Sequence, residues 1–162
     1  MPLVKVKEKH QVDIFGNIKI IIMKYNSSKS LCISFDFDGT LDDEFGGIYN
    51  PQKEEVQNIA LKYVQEGHQV CIITKRYGPE NPKLGLGDEH KVVFELADKL
   101  GIKEVYFTNR EMKFSHILKM KIDMHFENSN YEVELINQAC KENNHQCLVV
   151  PVEDPYWRDL VH

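Results

Sequence analysis

The 162-residue sequence has few cysteines, no apolar run long enough for a bilayer and no surplus of positive charge. Its four cysteines, Cys32, Cys71, Cys140 and Cys147, never adopt a C-x-x-C separation, and each lies in or beside an apolar run. That opposes a zinc knuckle or disulfide scaffold and favours small buried hydrophobes in a reducing cytosol. The amino terminus MPLVKVKEKHQ is charged where a signal peptide needs its apolar stretch. The longest apolar run near it, Ile20 to Met23, is far short of the ~20 residues that span a bilayer. A soluble, cytoplasmic protein with no membrane partner is expected. Only 20 Lys plus Arg stand against 25 Asp plus Glu, a net charge of −5. This removes a whole-protein basic field for nucleic acid, although a local basic groove stays open. The phosphate loops G-x-x-x-x-G-K-S/T and G-x-G-x-x-G are both missing. So are internal repeats, low-complexity tracts and any linker that would mark a second domain.

What remains is ordinary globular material of single-domain length. From Leu31 onward five short apolar runs, LCISFDF, HQVCIIT, KEVYFT, KIDMHFE and HQCLVVPV, read as strands. Between the first two, Val56, Ile59, Ala60, Tyr63 and Val64 recur at helical spacing. Asn50 suits the cap of that helix, Pro51 its first turn and Gly67 its stop. The stretch DEHKVVFELADKLG repeats the grammar, with Asp88 as cap, Val92, Val93, Leu96, Ala97 and Leu100 inward and Gly101 as stop. Thr108 with Glu111, and Ser129 with Glu132, have the spacing of capping boxes. Strands alternating with helices predict a doubly wound, three-layer, Rossmann-like α/β domain on a parallel five-stranded sheet. Residues 1–30 stand apart. Two β-like runs around Phe15-Gly16-Asn17 suggest a β-hairpin extension on the core at 31–162.

One segment carries most of the chemistry: Ile33-Ser34-Phe35-Asp36-Phe37-Asp38-Gly39-Thr40-Leu41-Asp42. A buried parallel strand should end in apolar residues, yet this one ends in two carboxylates. If the chain stays extended they share a side of the sheet, with alpha carbons ~6.6 Å apart. Crowded carboxylates resist desolvation and call for a cation between them. Mg²⁺ suits, since it takes oxygen ligands and needs only one or two carboxylates. Gly39 then allows a sharp turn and a close approach. As an alternative, Asp38-Gly39 taken alone is a common turn pair.

The run DFDGTL resembles the first signature of the haloacid dehalogenase superfamily, most of whose members are Mg²⁺-dependent phosphohydrolases. The resemblance implies that Asp36 attacks phosphorus and becomes an aspartyl-phosphate. It implies that Asp38 serves as general acid and base, its backbone carbonyl also on the metal. Gly39 and Thr40 follow as phosphate-contacting residues. The second signature, a Ser or Thr ending the next strand, falls on Thr74, which would hold the phosphoryl group, with Lys75 and Arg76 placed to contact substrate or to sit solvated. The third is a lysine, for which Lys113, Lys119 and Lys121 compete. Lys113 is preferred, because the first turn of a helix beginning near Thr108 should lie at the carboxyl edge of the sheet. The fourth, usually an acidic pair, is here Glu127-Asn128. Glu127 would reach the metal directly or through water, and Asn128 would either offer a carbonyl oxygen or cap the next helix. Asp123, His125 and Glu127 could form a metal site, but a satisfied buried Asp123–His125 pair is preferred, because Mg²⁺ rarely takes imidazole. The resemblance covers roughly residues 31–151.

Neither the nine residues between Leu41 and Pro51 nor the loop Tyr77 to Gly87 can build a cap domain. A capless site implies a large substrate or closure by a partner subunit, so a homo-oligomer stays open. The loop and the tail DPYWRDLVH are candidate specificity elements, with Tyr156 and Trp157 as stacking surfaces unless the tail packs on its own domain. Three functions follow: a Mg²⁺-dependent phosphomonoesterase on a small phosphorylated substrate, a nucleotide or nucleic-acid end phosphatase, or a catalytically degenerate phosphoryl-ligand or protein-binding module.

Overall fold

A computed structural model describes residues 29–81 and 87–161. The expected hairpin around Phe15-Gly16-Asn17 lies outside these residues. All five anticipated strands form: β1 (Cys32–Phe35), β2 (Gln69–Thr74), β3 (Glu104–Phe107), β4 (Met124–Glu127) and β5 (Leu148–Pro151). They make one parallel sheet in the order β3-β2-β1-β4-β5. The helices are α1 (Lys53–Gln65), α2 (Lys91–Leu100), α3 (Phe114–Lys119) and α4 (Asn130–Glu142), followed by a 3-10 turn, Trp157–Leu160.

The two-residue period of the strands sorts the core into two layers. Ile33 and Phe35 of β1, Ile72 of β2 and Met124 and Phe126 of β4 pack with Val56, Ile59, Ala60 and Tyr63 of α1 and Val93, Ala97 and Leu100 of α2. On the other face Cys71, Ile73 and Val149 meet Ile117 of α3 and Ile136 and Cys140 of α4. Helices on both faces give the three-layer α/β architecture. The chain winds outward through β2 and β3 and then returns beside β1 to start β4. Such a reversal opens a crevice at the carboxyl ends of β1 and β4, where this class of fold binds its ligands.

Several local expectations change in detail. The periodicity of α1 holds, but Asn50 acts one turn early: its side chain accepts from Gln52 N–H and donates to the carbonyls of Thr40 and Asp42. Gly101 ends α2 in the left-handed region, as expected of a stop. Val92, expected inward, is exposed, because α2 turns Val93 to the sheet instead. The helix expected from Thr108 begins only at Phe114, since Thr108 spends its hydroxyl on the Glu111 carbonyl. The four cysteines form no disulfide with one another, and three of them are buried. No helix among the described residues is long and apolar enough to cross a membrane.

Candidate active site

Asp36 follows the last residue of β1 and keeps the strand's alternation, so it lies on the same side as Ser34, over α3 and α4. Its alpha-position is held by the backbone, Asp36 N–H donating to the Phe126 carbonyl at 2.9 Å. The carboxylate is buried, with one oxygen 2.5 Å from Lys113 Nζ and the other accepting from Thr40 Oγ1 at 2.9 Å. Lys113 is 2% exposed and sits immediately before α3. Its ammonium also pairs with Glu127 Oε1 at 2.7 Å. One cation therefore bridges the carboxylates that end β1 and β4. Of the three competing lysines Lys113 is the one at the site, because Lys119 and Lys121 come at the far end of α3 and are exposed.

The two buried carboxyl groups are pushed apart. Burial, then the charge of Glu127, raise Asp36 to about 7, against the pull of Lys113. Burial opposes ionisation of Glu127 too, but Lys113 and the hydrogen bond from His125 outweigh it and hold that carboxyl at about 2. The difference follows from the donors: Glu127 also accepts from His125 Nε2 at 3.1 Å and Ser129 N–H at 3.1 Å, whereas among the described residues the side-chain donors to Asp36 are Lys113 and Thr40. Lys113 loses by desolvation and gains more from its two anions, so it stays charged above the ordinary lysine range. With both carboxyl groups ionised the three buried groups would carry one positive and two negative charges, an excess that holds Asp36 up and that further positive charge would relieve.

Asp38 departs from the sequence expectation. β1 stops at Phe35, and the Phe37 carbonyl collects the N–H groups of Thr40, Leu41 and Asp42, folding a turn in place of an extended strand. The strand spacing thus does not carry through to Asp38. Its carboxylate meets Arg76, with Nε at 3.0 Å and Nη2 at 2.7 Å, a bidentate pair. Arg76 in turn donates to the Glu89 carbonyl and lies over the rings of Phe37 and Phe45. Thr74 ends β2 buried, its hydroxyl accepting from Arg76 N–H at 3.3 Å. Lys75 points away from Asp38 toward α4, 3.5 Å from Glu132. Gly39 takes φ +74, and a Cβ there would run into the Asn128 side-chain amide. Asn128 therefore lies over the turn that follows Asp36. It does not cap α4: Ser129 does, accepting from Glu132 N–H at 3.3 Å.

Among the described residues no three acidic, imidazole or thiol side chains gather into a metal-binding group. The donors at the crevice are nevertheless hard oxygens, and Mg²⁺ needs few carboxylates of its own. Asp36, the Asp38 main-chain carbonyl and Asn128 are the oxygen-bearing groups there that could hold Mg²⁺. The cation beside Glu127 is the Lys113 ammonium. His125 binds Ser34 Oγ at 2.7 Å and Glu127, and Asp123 instead accepts from Cys32 N–H at 2.9 Å. The expected Asp123–His125 pair is replaced by these two separate contacts. Trp157, one of the two candidate stacking surfaces, is 1% exposed and packs against Phe126, whereas Tyr156 is 74% exposed.

Two participants escaped sequence reasoning. Glu89 is buried, and both of its carboxylate oxygens accept from Arg110 Nη2, at 3.1 and 3.0 Å. Glu132, read as a capping residue, puts its carboxylate between Lys75 and Lys113 N–H. Both contacts join segments far apart in the chain, so no local pattern reveals either. Comparison of the chain with family models, with curated proteins and with solved structures finds no match.

Proposed function

We propose that the protein is a Mg²⁺-dependent phosphohydrolase that transfers a phosphoryl group to Asp36 and then to water. The observation that carries this reading is the Asp36–Lys113–Glu127 ion triad at the carboxyl edge of the central strands. A carboxylate attacking a phosphate dianion meets repulsion, and a buried ammonium at the nucleophile offsets it. Lys113 and Thr40 each hold one Asp36 oxygen, so the carboxylate plane is fixed before substrate arrives.

In the first step an Asp36 oxygen bonds to phosphorus as the bond to the leaving oxygen breaks. Asp38 gives that oxygen its proton. In the second step Asp38 takes a proton from water as the water oxygen attacks the aspartyl-phosphate, and phosphate leaves Asp36 as a carboxylate. For the first step Arg76 must release Asp38, and an incoming phosphoryl group is the natural anion to draw it away. The Thr74 hydroxyl, at the end of the neighbouring strand, would hold the same group. When bound, Mg²⁺ supplies positive charge to the phosphoryl oxygens. A cytoplasmic setting agrees with four cysteines that form no disulfide with one another.

The bidentate Arg76–Asp38 pair favours one other reading, a phosphoryl-ligand-binding module in which Asp38 never leaves Arg76. Hydrolysis of p-nitrophenyl phosphate with and without Mg²⁺ separates the two. Turnover that disappears in Asp36→Asn, and a hydroxylamine-labile phosphoenzyme that accumulates in Asp38→Asn, are expected. Full activity in Asp36→Asn would overturn the assignment. A panel of nucleotides, sugar phosphates and 5′- or 3′-phosphorylated oligonucleotides then ranks the substrate classes.

A further inference from the structure

His125 lies on the central strand β4, fully buried, and the reaction above makes no use of it. It is the register partner of Ser34 across the parallel β1–β4 ladder. Its Nδ1 is 2.7 Å from Ser34 Oγ, and its Nε2 is 3.1 Å from Glu127 Oε1. An ionised carboxylate only accepts, so Nε2 carries the ring proton and Nδ1 accepts from the Ser34 hydroxyl. The same Glu127 oxygen takes Lys113 Nζ, and Oε2 takes Ser129 N–H. Three donors leave Glu127 one orientation. The hydrogen-bonded chain therefore runs unbroken from Ser34 through His125, Glu127 and Lys113 to Asp36.

We propose that Ser34 and His125 form a positioning relay that aims the Glu127 carboxylate and so keeps the Lys113 ammonium on the nucleophile. The inference rests on Asp36 being that nucleophile. A buried histidine that merely filled space could give way to an apolar side chain of similar volume without touching turnover. A relay cannot, because the ammonium would drift toward a freed Glu127, and misplacing a group at a reacting centre by about 1 Å costs up to roughly 100-fold in rate.

Three variants test it: His125→Leu, which removes the donor, His125→Gln, whose amide N–H reaches the Nε2 position, and Ser34→Ala, which frees the ring. With p-nitrophenyl phosphate, His125→Leu should lose about 10- to 100-fold in kcat with KM within about twofold. His125→Gln should regain most of that loss, and Ser34→Ala should fall between them. The second readout needs no turnover. In protein labelled with ¹⁵N-lysine, the Lys113 ammonium, assigned through Lys113→Arg, should give a shielded, slowly exchanging signal. That signal should persist in His125→Gln and vanish in His125→Leu. A His125→Leu protein with wild-type kcat and an intact ammonium signal refutes the relay while leaving Asp36 as nucleophile. If wild type and Asp36→Asn are equally inactive, the hydrolase reading fails and the ammonium signal alone decides the relay. Ser34→Ala carries both measurements should the leucine variant not fold.

Discussion

At the scale of single residues the site is a problem of unequal charge. Asp36 and Glu127 share one ammonium, and the extra donors on Glu127 leave Asp36 as the group that burial penalises. Its carboxyl titrates near 7 in the fold against 3.8 when free. Below the free value both states are protonated and nothing is lost. Between the two values the unfolded chain gains its charge more readily than the folded one. The cost to stability therefore grows as pH rises toward 7 and is complete above it. Asp36→Asn removes that cost. In metal-free buffer it should raise the thermal midpoint at pH 8 by about 2–8 °C, corresponding to about 1–2 kcal/mol, and leave it unchanged near pH 4. A scan of both proteins across pH checks this, and a constant difference at all pH values would contradict it. Lys113→Met does the reverse, because two buried carboxylates lose their cation. A loss of about 3–5 kcal/mol is expected, larger at pH 8 than at pH 5, where protonation relieves the repulsion. The double variant with Asp36→Asn should recover part of the loss, measured as a mutant cycle in urea.

At the scale of elements, sequence reasoning succeeded where hydrophobic period decides and failed where polar side chains choose among neighbours. The apolar runs that became β1 to β5 could be read from pattern alone, and so could the buried stripe Val56, Ile59, Ala60 and Tyr63 of α1. Lys113 could be chosen because a helix start after the third strand should lie at the carboxyl edge, although the helix begins after Lys113 and not at Thr108. The pairs Arg76–Asp38 and Ser34–His125 were hidden, since they join residues 38 and 91 positions apart through tertiary contacts that no local pattern encodes. Helix starts were intermediate. Ser129 caps α4 as its spacing promised, yet the reciprocal half of the box fails: Glu132 turns to Lys75 and Lys113, and Glu127 accepts the Ser129 N–H instead. The cap's hydroxyl and its backbone N–H thus serve different ends. Ser129→Ala should cost about 1 kcal/mol, a fall of ~2–4 °C in midpoint, while activity stays at wild type because the N–H to Glu127 survives. A thermal melt beside the p-nitrophenyl phosphate assay checks both halves, and a proportional loss of activity would show that the hydroxyl itself supports the site.

At the scale of the molecule, the site depends on how the tail closes the sheet behind it. Trp157 enters the core beside Phe126, which stacks on Phe35 with ring centroids 4.5 Å apart. Phe35 and Phe126 immediately precede Asp36 and Glu127, so the aromatic layer on one face of the sheet backs the ion triad on the other. Arg158, next in sequence, fastens the tail to α1 through Glu55 and Gln52. These surface contacts are exposed to solvent and contribute little by themselves. The buried indole contributes more, because removing it opens a cavity that a three-layer sheet cannot collapse into. Trp157→Ala should therefore cost about 3–5 kcal/mol, ~6–20 °C in thermal midpoint, whereas Tyr156→Ala, at the exposed neighbouring position, should change the midpoint by less than about 2 °C. If the tail acts only through the core, Trp157→Ala at a temperature well below its midpoint keeps its KM for p-nitrophenyl phosphate. A raised KM with an unchanged melting curve would instead place the tail on the substrate.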